Sequence, residues 1–378
     1  MKRITLGAAC KLITFKPYTE ELIASVKAFN TRLDAGSAPP EFRFPECHIP
    51  ESLPKVDGRR LFEEYFLLLE DGAVRGGYRL KHQDFSFHGE VRSIALFHWQ
   101  ISEGLVDRKY AWVFLHMLNS ALKAQPLLYG LAMGPQIQRA LTSLGWSMGT
   151  VAFHFKVNSP DRFLRQIRAM RKTPAQRLLM DIAARTGTGG LLLRILQSAR
   201  AKRGESEERT EVVQGFSGWA DDLWHKCEGQ YAMIAVRDSE TLNILYPGTS
   251  KRFVRCKITR GGAVLGWAVL LDTPMHDNKY FGNLRVGSIV DCLALPENAD
   301  AVVRAATRVL EERGVDLIVS NQSHSSWSAA FRSAGFLAGP SNFLFATSKE
   351  LSKPLHPFQI KMAQAHLTRG DGDGPIHL

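Results

Sequence analysis

No stretch of the 378-residue sequence is long and apolar enough to cross a bilayer. A spanning helix needs about 18–20 apolar residues, and the longest run, Gly189–Leu196, is short and broken by Arg194. The opening Met1–Cys10 is leader-like at first sight. Its apolar core is too short, and Lys11 and Lys16 interrupt the residues after it, so a cytoplasmic protein is expected. Cysteine is scarce: five residues, at 10, 47, 227, 256 and 292, with no C-x-x-C and no Cys/His spacing suited to zinc. An odd, scattered set reads as reduced thiols, and no metal is expected. The sequence has no G-x-S-x-G elbow and no P-loop, so Ser/His/Asp hydrolysis finds no support. Gly187-Thr188-Gly189-Gly190 lacks the preceding strand of a dinucleotide fingerprint.

Acidic residues are missing from one place in particular. Between Ser159 and Gly204 eleven Lys/Arg face only Asp161 and Asp181, about +9 of the total +11. A solvated cationic face on packed helices explains such a segment most simply. Peripheral contact with an anionic membrane through residues 160–204 is a second reading, carried by Leu191-Leu192-Leu193-Arg194-Ile195-Leu196. Nucleic acid is disfavoured, because no aromatics are interleaved for base stacking.

What is present is ordinary globular composition, 45% apolar and 10% aromatic, in a length that suits two or three domains. The blocks on either side of the basic segment share one order of elements. In the first, Tyr65–Leu69 and Ala73–Leu80 form a hairpin around Asp71-Gly72 and Glu90–Trp99 is a third strand. Tyr110–Lys123 has helical period, Leu127–Leu131 is a strand, Pro135–Leu144 a helix closed by Gly145-Trp146, and Val151–Val157 a last strand. In the second, Arg252–Thr259, Ala263–Leu271 and Arg285–Leu295 are strands. Asp300–Arg313 is a helix, Val315–Ser320 a strand, Ser325–Ala334 a helix closed by Gly335-Phe336, and Asn342–Thr347 the last strand. The order β-β-β-α-β-α-β predicts α/β architecture with two mixed sheets. Expected boundaries are 1–157 for a first domain, 158–210 for a basic helical linker and 211–350 for a second domain. A tail over 351–378 is expected to be partly disordered, above all past Thr368.

Ala140-Leu141-Thr142-Ser143-Leu144-Gly145-Trp146 and Ala330-Phe331-Arg332-Ser333-Ala334-Gly335-Phe336 both resemble the ending of the last core helix in GNAT acyltransferases. There the glycine leaves the helix at positive φ and the aromatic packs back under the sheet. With the element order, the chain is similar to tandem GNAT-like proteins of the Fem-like and polysaccharide-cluster acyltransferase type. The resemblance implies two sheets splayed open between their fourth and fifth strands to admit a thioester arm. It implies an acetyl-CoA or acyl-CoA donor and an amino acceptor on a small molecule, sugar or amino acid, a glycan precursor among them. Fem-like relatives imply an alternative donor, aminoacyl-tRNA, and a further alternative is a binding protein that kept the fold without the chemistry. GNAT proteins cradle the CoA pyrophosphate on a Gly-rich loop before the first core helix. Here the first loop, Ser102–Trp112, keeps Gly104 and the cations Arg108 and Lys109 beside Tyr110, and the second, Pro296–Ala301, has neither glycine nor cation.

Three places supply candidate site residues. Asp291 is a carboxylate in the apolar strand Gly287–Leu295, near Leu293 and Leu295 on the expected donor side; it is either a base or an Asp bonded to backbone or to Arg285. His98 ends the corresponding first strand, as a base or as a satisfied histidine. Ser320, Asn321, Ser323 and His324 cluster at a strand's C-terminal end, where open α/β sheets bind ligands, and Asn321 matches a position near the GNAT cofactor arm. Helix capping by Ser323 or Ser325 is the alternative there. Cys292 with His324 as a nucleophile pair is opposed by the usual role of a strand cysteine as a small core residue.

Overall fold

The computed structural model describes residues 12–46, 53–200, 207–341 and 343–372. Contacts divide the chain into two compact units, residues 1–83 with 93–130, and residues 84–92 with 131–378.

The first unit is built on strands β1 (Ile13–Pro17), β2 (Phe62–Glu70), β3 (Ala73–Phe87), β4 (Glu90–Ser102) and β5 (Leu128–Leu131), adjacent in that order. Helix α1 (Ile23–Ala35) was not anticipated from the sequence. Its Val26, Phe29 and Leu33 recur at helical spacing and pack on Phe44, Tyr65 and Leu67. Helix α2 (Val113–Ala124) buries Val113, Met117, Leu118 and Ala121. At about 2 kcal/mol per buried aliphatic side chain, each stripe outweighs the weak intrinsic propensity of so short a helix. β5 pairs in parallel with β4 at two positions only, Ala95–Leu128 and Leu96–Tyr129. Beyond them β4 runs on past Phe97 and His98 without pairing to β5, and Trp99 takes φ +52°. A non-glycine residue in the left-handed region costs about 1–3 kcal/mol and breaks the strand's alternation.

The second unit begins with helix α3 (Pro135–Ser143), strands β6 (Ser147–Thr150) and β7 (Ala152–Val157), and helices α4 (Pro160–Gln166), α5 (Pro174–Arg185) and α6 (Thr188–Ser198). Next come β8 (Arg209–Val213), α7 (Gly218–Cys227), β9 (Met233–Ala235) and α8 (Ser239–Leu245). The meander β10 (Val254–Arg260), β11 (Ala263–Pro274), β12 (Arg285–Ala294) leads through α9 (Ala299–Glu312) to β13 (Leu317–Gln322). It closes with α10 (Ser325–Ser333), β14 (Leu337–Gly339), β15 (Leu344–Thr347), α11 (Lys349–Ser352), α12 (Phe358–Met362) and β16 (Ala365–His366). A seven-stranded sheet runs β14-β7-β13-β12-β11-β10-β8. Its parallel pair β12 and β13 is buried along nearly its whole length, which explains why β12 reads as a continuous apolar run. α9 closes tightly on β11 because Gly266 has no side chain; a Cβ there would lie 2.4 Å from Val302 Cγ2.

Several expectations change. The strand predicted to finish the first block, β7, pairs with β13 instead, from Val157–Leu317 to Ala152–Gln322. β15, predicted to finish the second block, pairs with β6. The division between the two compact units falls near residue 130. Over 351–372 the tail carries the parallel ladder β16–β9 and a 3₁₀ turn at Arg369–Asp371, with Leu351, Leu355 and Leu367 buried, and residues 373–378 lie outside the described residues. Glu208, at the edge of β8, is buried, bonding Arg260 and lying 3.0 Å from Arg304. The leader-like segment, Cys10 and Cys47 lie outside the described residues.

Both helix endings that carried the resemblance behave as expected. Gly145 has φ +80° and Gly335 φ +86°, and Trp146 and Phe336 are buried.

Candidate functional site

Each sheet has an opening. In the second unit β12 and β13 pair in parallel from Val286–Leu317 to Ile289–Ser320, then part. The β11–β12 register slips at the same point, leaving Val290 as an extra residue. The chain's own C-terminal segment lies in that opening: Gln322 bridges Thr368, and the Arg369–Asp371 turn touches both strands.

Asp291 is here and is saturated. Its carboxylate accepts from Arg237 Nε (3.1 Å), Tyr246 Oη (2.9 Å), Thr368 Oγ1 (3.0 Å) and the Cys292 amide (2.9 Å). Arg237 also donates to Asp371 at 2.8 Å and to the Ala235 carbonyl at 2.9 Å. Burial works against the guanidinium's charge, but the two carboxylates more than offset it, and its pKa is raised. Desolvation likewise holds Tyr246 protonated, with the Asp291 charge adding to the effect. Arg285, the partner suggested by sequence, is bonded to Asp272 (2.7 and 2.8 Å).

The neighbouring candidates bond the chain itself. Ser320 Oγ donates to the Ile289 carbonyl at 2.9 Å, and Asn321 Oδ1 accepts from Arg369 at 3.3 Å. Ser323 Oγ donates to the Ala365 carbonyl and accepts from the Leu367 amide. His324 Nδ1 accepts from the Ser326 amide and so caps α10, the role the sequence offered to a serine. Burial lowers His324 to about 4. Leu293 is core, and Cys292 is a fully buried thiol pushed up by desolvation, which suits a core residue and not a nucleophile.

The first unit's opening has a different lining. His98 is buried two residues past the last β4–β5 pair. Arg79, from β3, approaches it with Nε 2.7 Å from Nε2 and Nη2 3.0 Å from Nδ1. An arginine only donates and a neutral imidazole accepts at one nitrogen, so the ring can take a hydrogen bond from Arg79 at Nε2 or at Nδ1 but not at both. Glu63 Oε1 lies 3.9 Å from Nε2 and its Oε2 3.4 Å from Arg79, which also donates to Tyr65 Oη at 3.1 Å. The guanidinium is packed over the Tyr65 and Trp99 rings, 5.6 and 5.2 Å from their centroids. Desolvation keeps Tyr65 protonated. Sequence reading singled out His98 alone. Arg79 left a trace as a charge inside the otherwise uncharged Gly76-Gly77-Tyr78-Arg79-Leu80, whereas Glu63 sits beside a second acid in Phe62-Glu63-Glu64-Tyr65 and left none.

The loop from β4 to α2 is itself a poor cradle for a pyrophosphate. The amides of Val106, Asp107, Tyr110 and Ala111 donate to carbonyls within the loop, and that of Lys109 to the Asp107 side chain. Gly104 is not open, since a Cβ there would lie 2.9 Å from the Tyr110 carbonyl. Tyr110 is buried under Arg75, and Lys109 is paired with Asp107 at 2.9 Å. α2, however, starts without a side-chain cap and without an acid in its first turn. The amides of Trp112, Val113, Phe114 and Leu115 find no acceptor among the described residues, and exposed Arg108 stands before them. That donor set fits an anion. At α9 the first turn carries Asp300, with Glu297 just before it, and does not fit one. Among the described residues no His/Cys/Asp/Glu group could hold a metal, and no helix is long and apolar enough to cross a membrane.

The two mixed sheets and their openings define a GNAT-type fold, and solved structures agree. A conserved protein of Enterococcus faecalis V583, a probable N-acyltransferase, is similar at TM-score 0.50 and 11% identity, over 91% of this chain and 74% of its own. A GCN5-related N-acetyltransferase from Anabaena variabilis is similar at 0.51 and 11%, over 89% and 72%. The N-myristoyltransferase of Saccharomyces cerevisiae, solved with bound myristoyl-CoA, is similar at 0.50 and 8%, over 92% and 84%. At such identities the likeness is one of fold. No protein-family model matches the sequence, and no curated protein is similar to it in sequence.

Proposed function

We propose that the chain is an N-acyltransferase that moves an acyl group from acyl-CoA to an amino group in the opening between β4 and β5. One observation carries the reading. The strand that parts from its neighbour after Leu96 presents buried His98 two residues later and leads into α2, whose first amides are free of acceptors among the described residues. Acyl-CoA supplies an activated thioester carbonyl. The α2 N-terminus and Arg108 hold its pyrophosphate. The acceptor amine forms the new N–C bond as the C–S bond breaks and CoA leaves as its thiolate, and the amine's proton passes to His98 as Arg79 releases the accepting ring nitrogen. Glu63, 3.9 Å away, balances the charge that His98 then gains, and the Tyr65 and Trp99 rings hold the Arg79 guanidinium that orients the resting imidazole. The acceptor we propose is the amine of a small molecule of sugar or amino-acid type.

In this reading the second opening holds no donor, since Thr368–Asp371 fill it and Asp291 is bonded on every side.

Calorimetry with CoA, acetyl-CoA and longer acyl-CoAs tests the donor. Binding that weakens in Arg108→Ala is expected. No heat with any of them sinks the proposal, and salt-sensitive tRNA binding in their place transfers it to an aminoacyl-tRNA donor. With turnover in hand, His98→Ala is expected to lower kcat by about 10²-fold or more while donor affinity holds. Unchanged kcat removes His98 from the role.

A further inference from the structure

Helices α5 and α6 are consecutive in sequence, joined through Gly187 at φ +73°. Their inner sides are accounted for: Met180, Ala183, Ala184 and Leu193 pack on Phe163, Leu164, Ile167 and Phe155. Their outer sides are not. Leu178, Leu179 and Ile182 on α5, and Leu191, Leu192 and Ile195 on α6, are 50–67% exposed. Within each helix the three residues follow i, i+1, i+4 spacing, which gathers them on one side. Six aliphatic side chains open to this degree on adjacent helices form more apolar surface than a soluble protein usually leaves in one place.

The charge around this face has one sign. Arg185 follows Ile182 by three residues and Leu178 by seven, and Arg194 follows Leu191 by three, so both border the apolar face. Arg165, Arg185, Arg194 and Arg200 are exposed and form no ion pair among the described residues. The segment's two acids offer nothing against them. Asp181 is paired with Arg171 at 2.7 Å, and Asp161 belongs to the first turn of α4. A second copy of the chain would bring the same cations against these, whereas an anionic lipid surface answers both the apolar face and its basic border.

We propose that the outer face of α5 and α6 docks on an anionic phospholipid surface, with the aliphatic side chains entering the acyl boundary and the arginines meeting lipid phosphates. The inference stands apart from acyl transfer and is read without any donor or acceptor. The test is flotation of the full chain with vesicles of phosphatidylcholine alone and of phosphatidylcholine mixed with phosphatidylglycerol. Flotation with the mixed vesicles only, weakening as salt is raised, is expected. Leu179→Asp/Leu192→Asp should reduce it at least tenfold. Arg185→Gln/Arg194→Gln should reduce it by about 30-fold at low salt, from the usual effect of a cation near such a surface. All four positions are exposed, and an unchanged circular-dichroism spectrum shows that each variant is folded. Flotation with neither vesicle, or equally with both, overturns the proposal. A wild-type dimer in sedimentation velocity that becomes monomeric in the Leu→Asp variant, with no flotation, overturns it in favour of a second copy.

Discussion

Replacing Asp291 by Asn should cost stability and leave chemistry alone. The wild-type carboxylate receives hydrogen bonds from Arg237, Tyr246, Thr368 and the Cys292 amide, all buried. An asparagine keeps one acceptor oxygen and turns an NH2 group toward donors that have nowhere else to point. Arg237 is left with Asp371 as its sole carboxylate, in a site with almost no access to water. Breaking one member of a buried ion pair typically costs 3–5 kcal/mol, mostly from the charge left behind, so a loss of about 3 kcal/mol or more is expected. In a unit of this size that is a fall of roughly 6–10 °C in apparent Tm. Thermal melts and urea titrations of wild type and Asp291→Asn measure it, with turnover measured at a temperature where both are folded. A loss below about 1 kcal/mol would refute the account of a desolvated, charge-bearing anchor. A variant that keeps its stability but loses turnover would return Asp291 to the chemistry.

Acid should weaken the fold through its buried histidines. His154, stacked on Phe331, and His324 are both lowered to about 4 by burial, with the Arg332 charge adding to the effect at His154. Between about pH 6.5 and 4 the unfolded chain takes up protons at these rings that the folded chain does not, so stability is fullest above pH 6.5 and falls toward pH 4. On the order of 2 kcal/mol each is expected from the shift, and His324→Asn should flatten the profile of urea midpoint against pH. Ala132 is exposed at φ +53°, so Ala132→Gly should stabilise by about 0.5–1 kcal/mol; a lower Tm would count against strain at that turn.

The architecture was legible wherever local pattern and tertiary burial agree. The strand ending at Leu295 and the helix stopped by Gly314 were found to within a residue or two, since a buried strand is a run of apolar residues and a glycine ends a helix. α7, β9 and α8, over residues 218–245, went unread, and so did α1. Polar residues such as Asp221 and Asn30 interrupt their stripes; they are internal hydrogen-bond groups, bonding Ser239 and the Phe44 carbonyl, which composition alone makes look exposed. Strand pairing was the larger gap. Nothing in Ala152–Val157 says which of two similar sheets it joins, because its alternation suits either. The site was half legible: His98 stood out as a titratable residue at a strand end, whereas Arg79 and Glu63 come to it from other strands. Asp291 stood out as well, and its partners Arg237 and Asp371 lie 54 and 80 residues away in sequence.

The pairing of β7 with β13 also orders events during synthesis. About 160 residues separate Val157 from Leu317, so at roughly 5–20 residues per second the ribosome delivers the earlier strand some 8–30 s before its partner exists. Through that interval Val-Ala-Phe-His-Phe-Lys-Val has no β13 edge to pair with. A halved rate of translation lengthens the wait, and the yield of native protein becomes a matter of tempo as much as of sequence.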